Sequence, residues 1–295
     1  MSLEGRIFSA MCTKSDKKRD KGRTIPEGVE YKRSLRYGRH RKYHTLDICW
    51  PKKYDGKPVG DDVKLPVIIS IHGGGYVYGT KEVYQFYAAE LAEQGFAVVN
   101  FDYRLAPKDK FPAPLEDLNL VLIWLMKHKD EYPIDLDKVF MVGDSAGAQI
   151  ASQYGAIYSS REYRQIMGFR KPKINLRGLG LNCGMFDLKD FLAKAGLKGT
   201  MGDYFTKHPE DFGEKLDVVR YIGKDYPPSY LITAKGDFML GNCEPMVQLL
   251  REKGVKCDYK IYGDEKTGHV FHVDVGNEIG RQANRDQLDF FKGLL

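Results

Sequence analysis

The sequence predicts an α/β fold built on a mostly parallel central sheet, and three observations carry that reading. From about Thr45 onward, short apolar runs alternate with longer stretches of helical periodicity. Loops containing Gly or Pro separate them. Several of the apolar runs are rich in β-branched residues, as strands buried in a parallel sheet should be.

The elements follow in chain order. Strands are predicted at Thr45–Trp50, Val67–His72, Ala97–Tyr103, Val139–Gly143, Leu179–Cys183, Tyr230–Ala234 and Tyr259–Tyr262. Helices are predicted between and after them at Val83–Gln94, Leu115–His128, Ala146–Ser159, Glu244–Lys253 and Asn277–Lys292. The helix from Val83 runs up to Gly95, a residue that takes the left-handed position after a helix without steric cost, and a strand follows at once. Two segments stand outside the alternation: the basic stretch at about 1–44, and about 187–226 with Tyr204, Phe205 and Phe212. Open α/β sheets bind ligands beyond the carboxyl ends of their strands, so both are expected to pack there as a small cap on a single domain spanning 1–295.

Composition bounds the function. The chain has 295 residues, 42% hydrophobic and 29% charged, which is the balance of an ordinary soluble protein. No apolar run approaches the roughly 18 residues that would cross a bilayer, so no membrane span is expected. The opening lacks the apolar core of a secretory signal and runs into Lys14, Asp16, Lys17, Lys18 and Arg19, which points to the cytoplasm. Five scattered cysteines, with no pair at the spacing of a zinc or redox site, are expected to be reduced thiols, and Cys183 to be a small buried strand residue. The net charge of +6 concentrates in Lys32, Arg33, Arg36, Arg39, Arg41 and Lys42, interleaved with Tyr31, Tyr37 and Tyr43. No nucleic-acid recognition motif accompanies them, so they read as a solvated face and nucleic acid is not an expected partner.

The strongest chemical signal is Gly143-Asp144-Ser145-Ala146-Gly147, which follows the apolar strand Val139–Val142 and opens a helix. A sharp turn from strand to helix strains the serine and projects its hydroxyl, and the small neighbours let the adjacent chain pass. The second signal is His72-Gly73-Gly74-Gly75-Tyr76, directly after another strand. Three consecutive glycines cost roughly 0.5–1 kcal/mol each to order relative to alanine, so an ordinary turn explains them poorly. A phosphate loop fails as well, because no Lys-Ser or Lys-Thr follows.

These segments resemble the hormone-sensitive-lipase-like esterases of the α/β-hydrolase superfamily. The resemblance runs from about Leu65 to the C-terminus and includes Asp102-Tyr103-Arg104-Leu105-Ala106-Pro107, Phe111-Pro112-Ala113 and Glu116-Asp117. It implies an α/β-hydrolase fold with helices on both faces of the sheet. It also implies an oxyanion hole from the amides of Gly74, Gly75 and Ala146, with Arg104 and Asp117 as scaffold. His72 is expected to be structural on its own position, since a residue beside the glycine loop can hold that backbone by hydrogen bonds. A serine needs a base, and the base an orienter, which this superfamily supplies in the order Ser, acid, His. Asp237 lies just past the strand Tyr230–Ala234, and His269 beyond the next strand, where the acid and the base are expected. Asp264 and Asp274 are the rival acids and His272 the rival base; His269, His272 and Asp274 lack the spacing of a helical zinc site. Two positions depart from the family's usual pattern: Phe238 replaces the Pro after the acid, and Val270 replaces the Gly after the histidine.

The expected reaction is hydrolysis of a small carboxylic ester with short to medium acyl chains, through an acyl-enzyme on Ser145, with no cofactor and no metal. Tyr76, Tyr78, Phe186, Tyr204 and Phe205 are the candidates to line the pocket. An amide hydrolase of arylformamidase or peptidase type uses the same triad, and a non-catalytic binding protein uses the same scaffold. Both stay open as alternatives, as does a homodimer.

Overall fold

The computed structural model describes residues 1–60, 62–205 and 209–295. The chain opens with α1 (Leu3–Arg19) and then enters the sheet through β1 (Val29–Arg36) and β2 (Thr45–Pro51). A two-strand hairpin of β3 (Lys53–Tyr54) and β4 (Lys57–Pro58) leads to β5 (Leu65–Ile71), α2 (Gln85–Glu93), β6 (Ala97–Phe101) and α3 (Ala113–His128). The long strand β7 (Ile134–Asp144) precedes α4 (Ala146–Ser159), α5 (Arg161–Met167) and β8 (Leu176–Asn182). The shorter helices α6 (Leu188–Ala195) and α7 (Gly199–Tyr204) follow, then β9 (Ser229–Ala234), α8 (Cys243–Glu252), β10 (Cys257–Tyr262) and α9 (Glu278–Lys292).

Eight strands form one sheet in the order β1-β2-β6-β5-β7-β8-β9-β10. The pairs β1/β2 and β2/β6 are antiparallel, and every other pair in the sheet is parallel. Side chains alternate across a strand, and the core divides accordingly. Val67, Ile69, Val139, Met141, Leu179 and Leu181 face a cluster completed by Leu118 of α3, Ile150 of α4 and Val247 of α8. Ile68, Phe140, Val142 and Ile232 face the other cluster, against Leu91 of α2 and Phe291 of α9. Burial on both faces is why these strands read as unbroken apolar runs.

The N-terminal region differs from its expectation as a cap alone. Residues 29–36 form the edge strand β1, paired with β2 from Val29 opposite Pro51 to Arg36 opposite Thr45, with a shift of register between Lys32 and Leu35. Its Tyr31, Leu35 and flanking cations face solvent or half-buried surroundings, so no buried apolar run marks it. The helix of this region, α1, lies outside the sheet, against α7 in the second extra segment.

Candidate active site

The carboxyl ends of the neighbouring parallel strands β5, β7, β8, β9 and β10 open on one side of the sheet. The loops leaving them bring together side chains that are far apart in sequence.

Ser145 follows β7 with φ 52° and ψ −116°, a left-handed conformation that a non-glycine residue occupies only under strain. The surroundings hold it there. Its N–H donates to the carbonyl of Asn182 at 2.9 Å. A Cβ on Gly147 would lie 2.0 Å from the Ile71 carbonyl oxygen, and one on Gly143 would lie 2.2 Å from that of Gly147, so only glycine lets the turn close. Ser145 therefore stands at the start of α4, where helix N–H groups and the positive end of the helix dipole face the cleft.

The loop after β5 takes a second irregular path, with positive φ at Gly74 (110°), Gly75 (57°) and Tyr76 (65°). The Gly74 carbonyl turns inward to accept from the N–H groups of Val77 and Tyr78. Among the described residues, the N–H groups of Gly74, Gly75 and Ala146 have no backbone acceptor. His72 anchors this loop: it is buried, stacks on Tyr103 at 4.0 Å between ring centroids, and its Nδ1 lies 2.8 Å from the Gly73 carbonyl. Burial pushes its pKa down to about 4, so the ring is neutral at physiological pH. Arg104 and Asp117 are paired at 2.8 Å, and Asp117 also meets Nε2 of His44 at 3.0 Å.

Asp237, past β9, is buried and accepts from Thr233 Oγ1 at 3.0 Å, from the Met239 N–H at 2.8 Å and from Nδ1 of His269 at 2.8 Å. Burial alone would raise its pKa; hydrogen bonds led by that from His269 outweigh it and hold the carboxyl below the usual range. Nε2 of His269 is buried without a hydrogen-bond partner among the described residues, the Ser145 hydroxyl included, and faces a cavity of about 140 Å³ that Ser145 also lines. The rivals are engaged elsewhere. Asp264 bonds within its own turn, and Asp274 pairs with Arg23 at 2.6 Å. His272 is fully buried, its pKa pushed down to about 3 by burial, and its ring nitrogens have no partner among the described residues. The one group among the described residues with atoms close enough to share a metal is Cys183, Asp237 and His269, the acid and histidine of this pair with a buried thiol beside them. Cys183 sits just past the end of β8 with φ 51°, not inside the strand.

Tyr78 lines the Ser145 cavity, whereas the other four aromatic candidates lie elsewhere. Tyr76 is buried, stacks on Tyr204 at 3.9 Å and bonds Gln149; Phe205 packs with Phe111 in the same cluster. Phe186 lines a separate cavity of about 780 Å³ between α6 and α8. Further walls of the Ser145 cavity come from residues that sequence reasoning did not assign to the pocket: Phe8, Cys12, Ser15, Asp16 and Arg19 of α1, with Val83 and Tyr84. The α1 residues recur at helical spacing, but they are small or polar for the most part, so no apolar stripe announced them.

The family model described as BD-FAE matches residues 46–249. The acetyl esterase of Salmonella choleraesuis strain SC-B67 is 27% identical over 237 residues, covering 75% of this chain and 70% of its own. Esterase B from Lactobacillus rhamnosis superposes with a TM-score of 0.87 at 26% identity, covering 99% of this chain and 94% of that one. The same esterase inhibited by a tributyrin phosphonate gives a TM-score of 0.87 at 25% identity, with 99% and 94% coverage.

Proposed function

The chain belongs to the BD-FAE family, among the hormone-sensitive-lipase-like esterases of the α/β-hydrolase superfamily, and from that premise we propose how it hydrolyses carboxylic esters. Ser145 Oγ attacks the ester carbonyl while Nε2 of His269 takes its proton. Asp237, held on Nδ1 of His269, fixes the tautomer and stabilises the imidazolium. The amides of Gly74, Gly75 and Ala146 receive the oxyanion, an arrangement typically worth about 3 kcal/mol per donor. His269 then protonates the leaving alcohol, and water repeats the sequence on the acyl-enzyme. A small movement of the serine or imidazole closes the remaining gap once substrate is bound, as is common when a free site meets its substrate.

The observation that carries this reading is the strained Ser145 opening onto the same cavity as a histidine already bonded to a buried carboxylate. A cavity of about 140 Å³ suits an acyl group of a few carbons, so short-chain esters are the substrates. α1 and α7 form the cap, with α1 as the part directly over the serine. Five unpaired cysteines fit residence in a reducing compartment such as the cytoplasm.

Ser145→Ala is expected to lower turnover of p-nitrophenyl butyrate by at least about a thousandfold without changing the far-ultraviolet circular dichroism. A fluorophosphonate should label the wild-type chain and leave the variant unlabelled. Full activity in a folded variant would discard the assignment.

A further inference from the structure

The polarity of α1 runs opposite to that of an ordinary surface helix. At 3.6 residues per turn, Leu3, Ile7 and Met11 fall within roughly 80° of one another on one face. That face points away from the protein: the three side chains are 71%, 52% and 67% exposed, three of the few large apolar residues so exposed in the molecule. The opposite face, through Gly5, Phe8, Cys12, Asp16 and Arg19, meets the body of the protein. Beyond Met11 the outward side turns basic, with Lys14, Lys17, Lys18 and Lys21 exposed, and Arg6 exposed near its start. Glu4 is the one exposed acid on the helix.

Hydrogen bonds and ion pairs do much of the work of holding α1 down. Ser2 Oγ donates to Asp203 at 2.8 Å, Tyr78 Oη donates to Asp16 at 2.8 Å, and Arg19 Nη2 donates to the Val83 carbonyl at 2.7 Å. Such bonds exchange for water at small net cost, so the helix is tethered without being sealed in by a large apolar contact.

We propose that the outward face of α1 docks on an anionic lipid–water interface. Its apolar first half enters the boundary of the acyl chains while the lysines of its second half meet the negative headgroups. The charge decides between occupants: a second copy of this chain would set the lysines against the same lysines or, antiparallel, against the apolar first half and Arg6, with Glu4 as the one exposed acid to meet them, whereas an anionic surface neutralises them. Because the same helix roofs the Ser145 cavity, docking places the site at the boundary where sparingly soluble esters gather. The docking claim goes beyond ester hydrolysis and does not depend on it.

The test is co-sedimentation with vesicles of phosphatidylcholine alone or with phosphatidylglycerol added, using wild-type protein, Leu3→Ser/Ile7→Ser/Met11→Ser, and Lys14→Gln/Lys17→Gln/Lys18→Gln. Wild-type protein is expected to bind the anionic vesicles, and each triple variant to bind them about tenfold or more weakly. Turnover of water-soluble p-nitrophenyl acetate should be unchanged in both variants. Repeating the binding with Ser145→Ala separates docking from catalysis, since that protein should bind as wild type does. Equal binding to neutral and anionic vesicles, or none to either, overturns the proposal. So does a wild-type dimer in sedimentation equilibrium that the apolar triple variant dissociates, because the face would then be covered by a second copy.

Discussion

A single hydroxyl links the two irregular loops of the site. Tyr84 Oη accepts from the Gly73 N–H at 3.0 Å and donates to Asp144 Oδ2 at 2.8 Å, so it ties the glycine loop to the residue just before Ser145. Tyr84→Phe keeps the buried ring and removes the tie. The expected outcome is a loss of about tenfold in kcat with KM little changed, because the roughly 1–1.5 kcal/mol of that bond falls on the aim of the loop and not on substrate contact. Steady-state kinetics beside a thermal melt would check it; an unchanged kcat would show that the loop holds its shape without the hydroxyl. Nothing in the sequence singled out Tyr84, since its partner Gly73 is met only through the fold. Ser145, Asp237 and His269 were legible because each has a local mark, a Gly-flanked serine or a position just past an apolar strand. The aromatic pocket candidates had no such mark. Composition does not reveal which way a ring points, and Tyr76, Tyr204 and Phe205 point into one another.

At the scale of elements, legibility followed burial. The seven strands read from the sequence are all present, and for the inner ones the reason is that a strand covered on both faces must be apolar throughout. β10, an edge strand with Asp258, Lys260 and Ile261 exposed, was legible from its run of Tyr and Ile. β1 escaped notice because an edge strand keeps one side in water, and Val29, Tyr31 and Leu35 are interleaved with cations. α1 escaped because its apolar residues face outward and its inward ones are mixed. The tightest joint between elements lies where α4 starts against the ends of β5 and β7. A methyl at position 147 would meet the carbonyl oxygens of Ile71 at 2.0 Å and His72 at 2.7 Å, both of them backbone atoms that no rotamer can move. Gly147→Ala is therefore expected to destabilise the protein by about 3 kcal/mol or more, read from the midpoint of urea unfolding. Gly223→Ala, where an added methyl meets nothing within 4 Å, should change stability by less than about 0.5 kcal/mol. Equal midpoints for the two variants would contradict the close approach.

Across the whole molecule, buried titratable groups pull stability in opposite directions with pH. Burial lowers the pKa of His72 to about 4 and of His272 to about 3, so the unfolded chain binds the extra protons as pH falls below about 6.5 and folding weakens toward acid. Burial raises Asp102 to about 6 and both Glu90 and Asp144 to about 7. For these the folded chain holds the extra protons, and folding weakens as pH rises from about 4 toward 7. The two sets oppose each other between about pH 4 and 6.5, which flattens the profile there. His272 isolates the acid limb. Its ring lies edge-on to Tyr87 and Phe271, its nitrogens have no partner among the described residues, and phenylalanine is close to it in shape. Each unit of pH below the unfolded value costs about 1.4 kcal/mol for such a group, so from pH 6.5 to about 4.5 the wild type should lose about 2 kcal/mol relative to His272→Phe. Urea unfolding of both proteins at the two pH values measures the difference. A gap that stays constant with pH would mean that this imidazole is protonated within the folded protein and reaches water that its burial denies it.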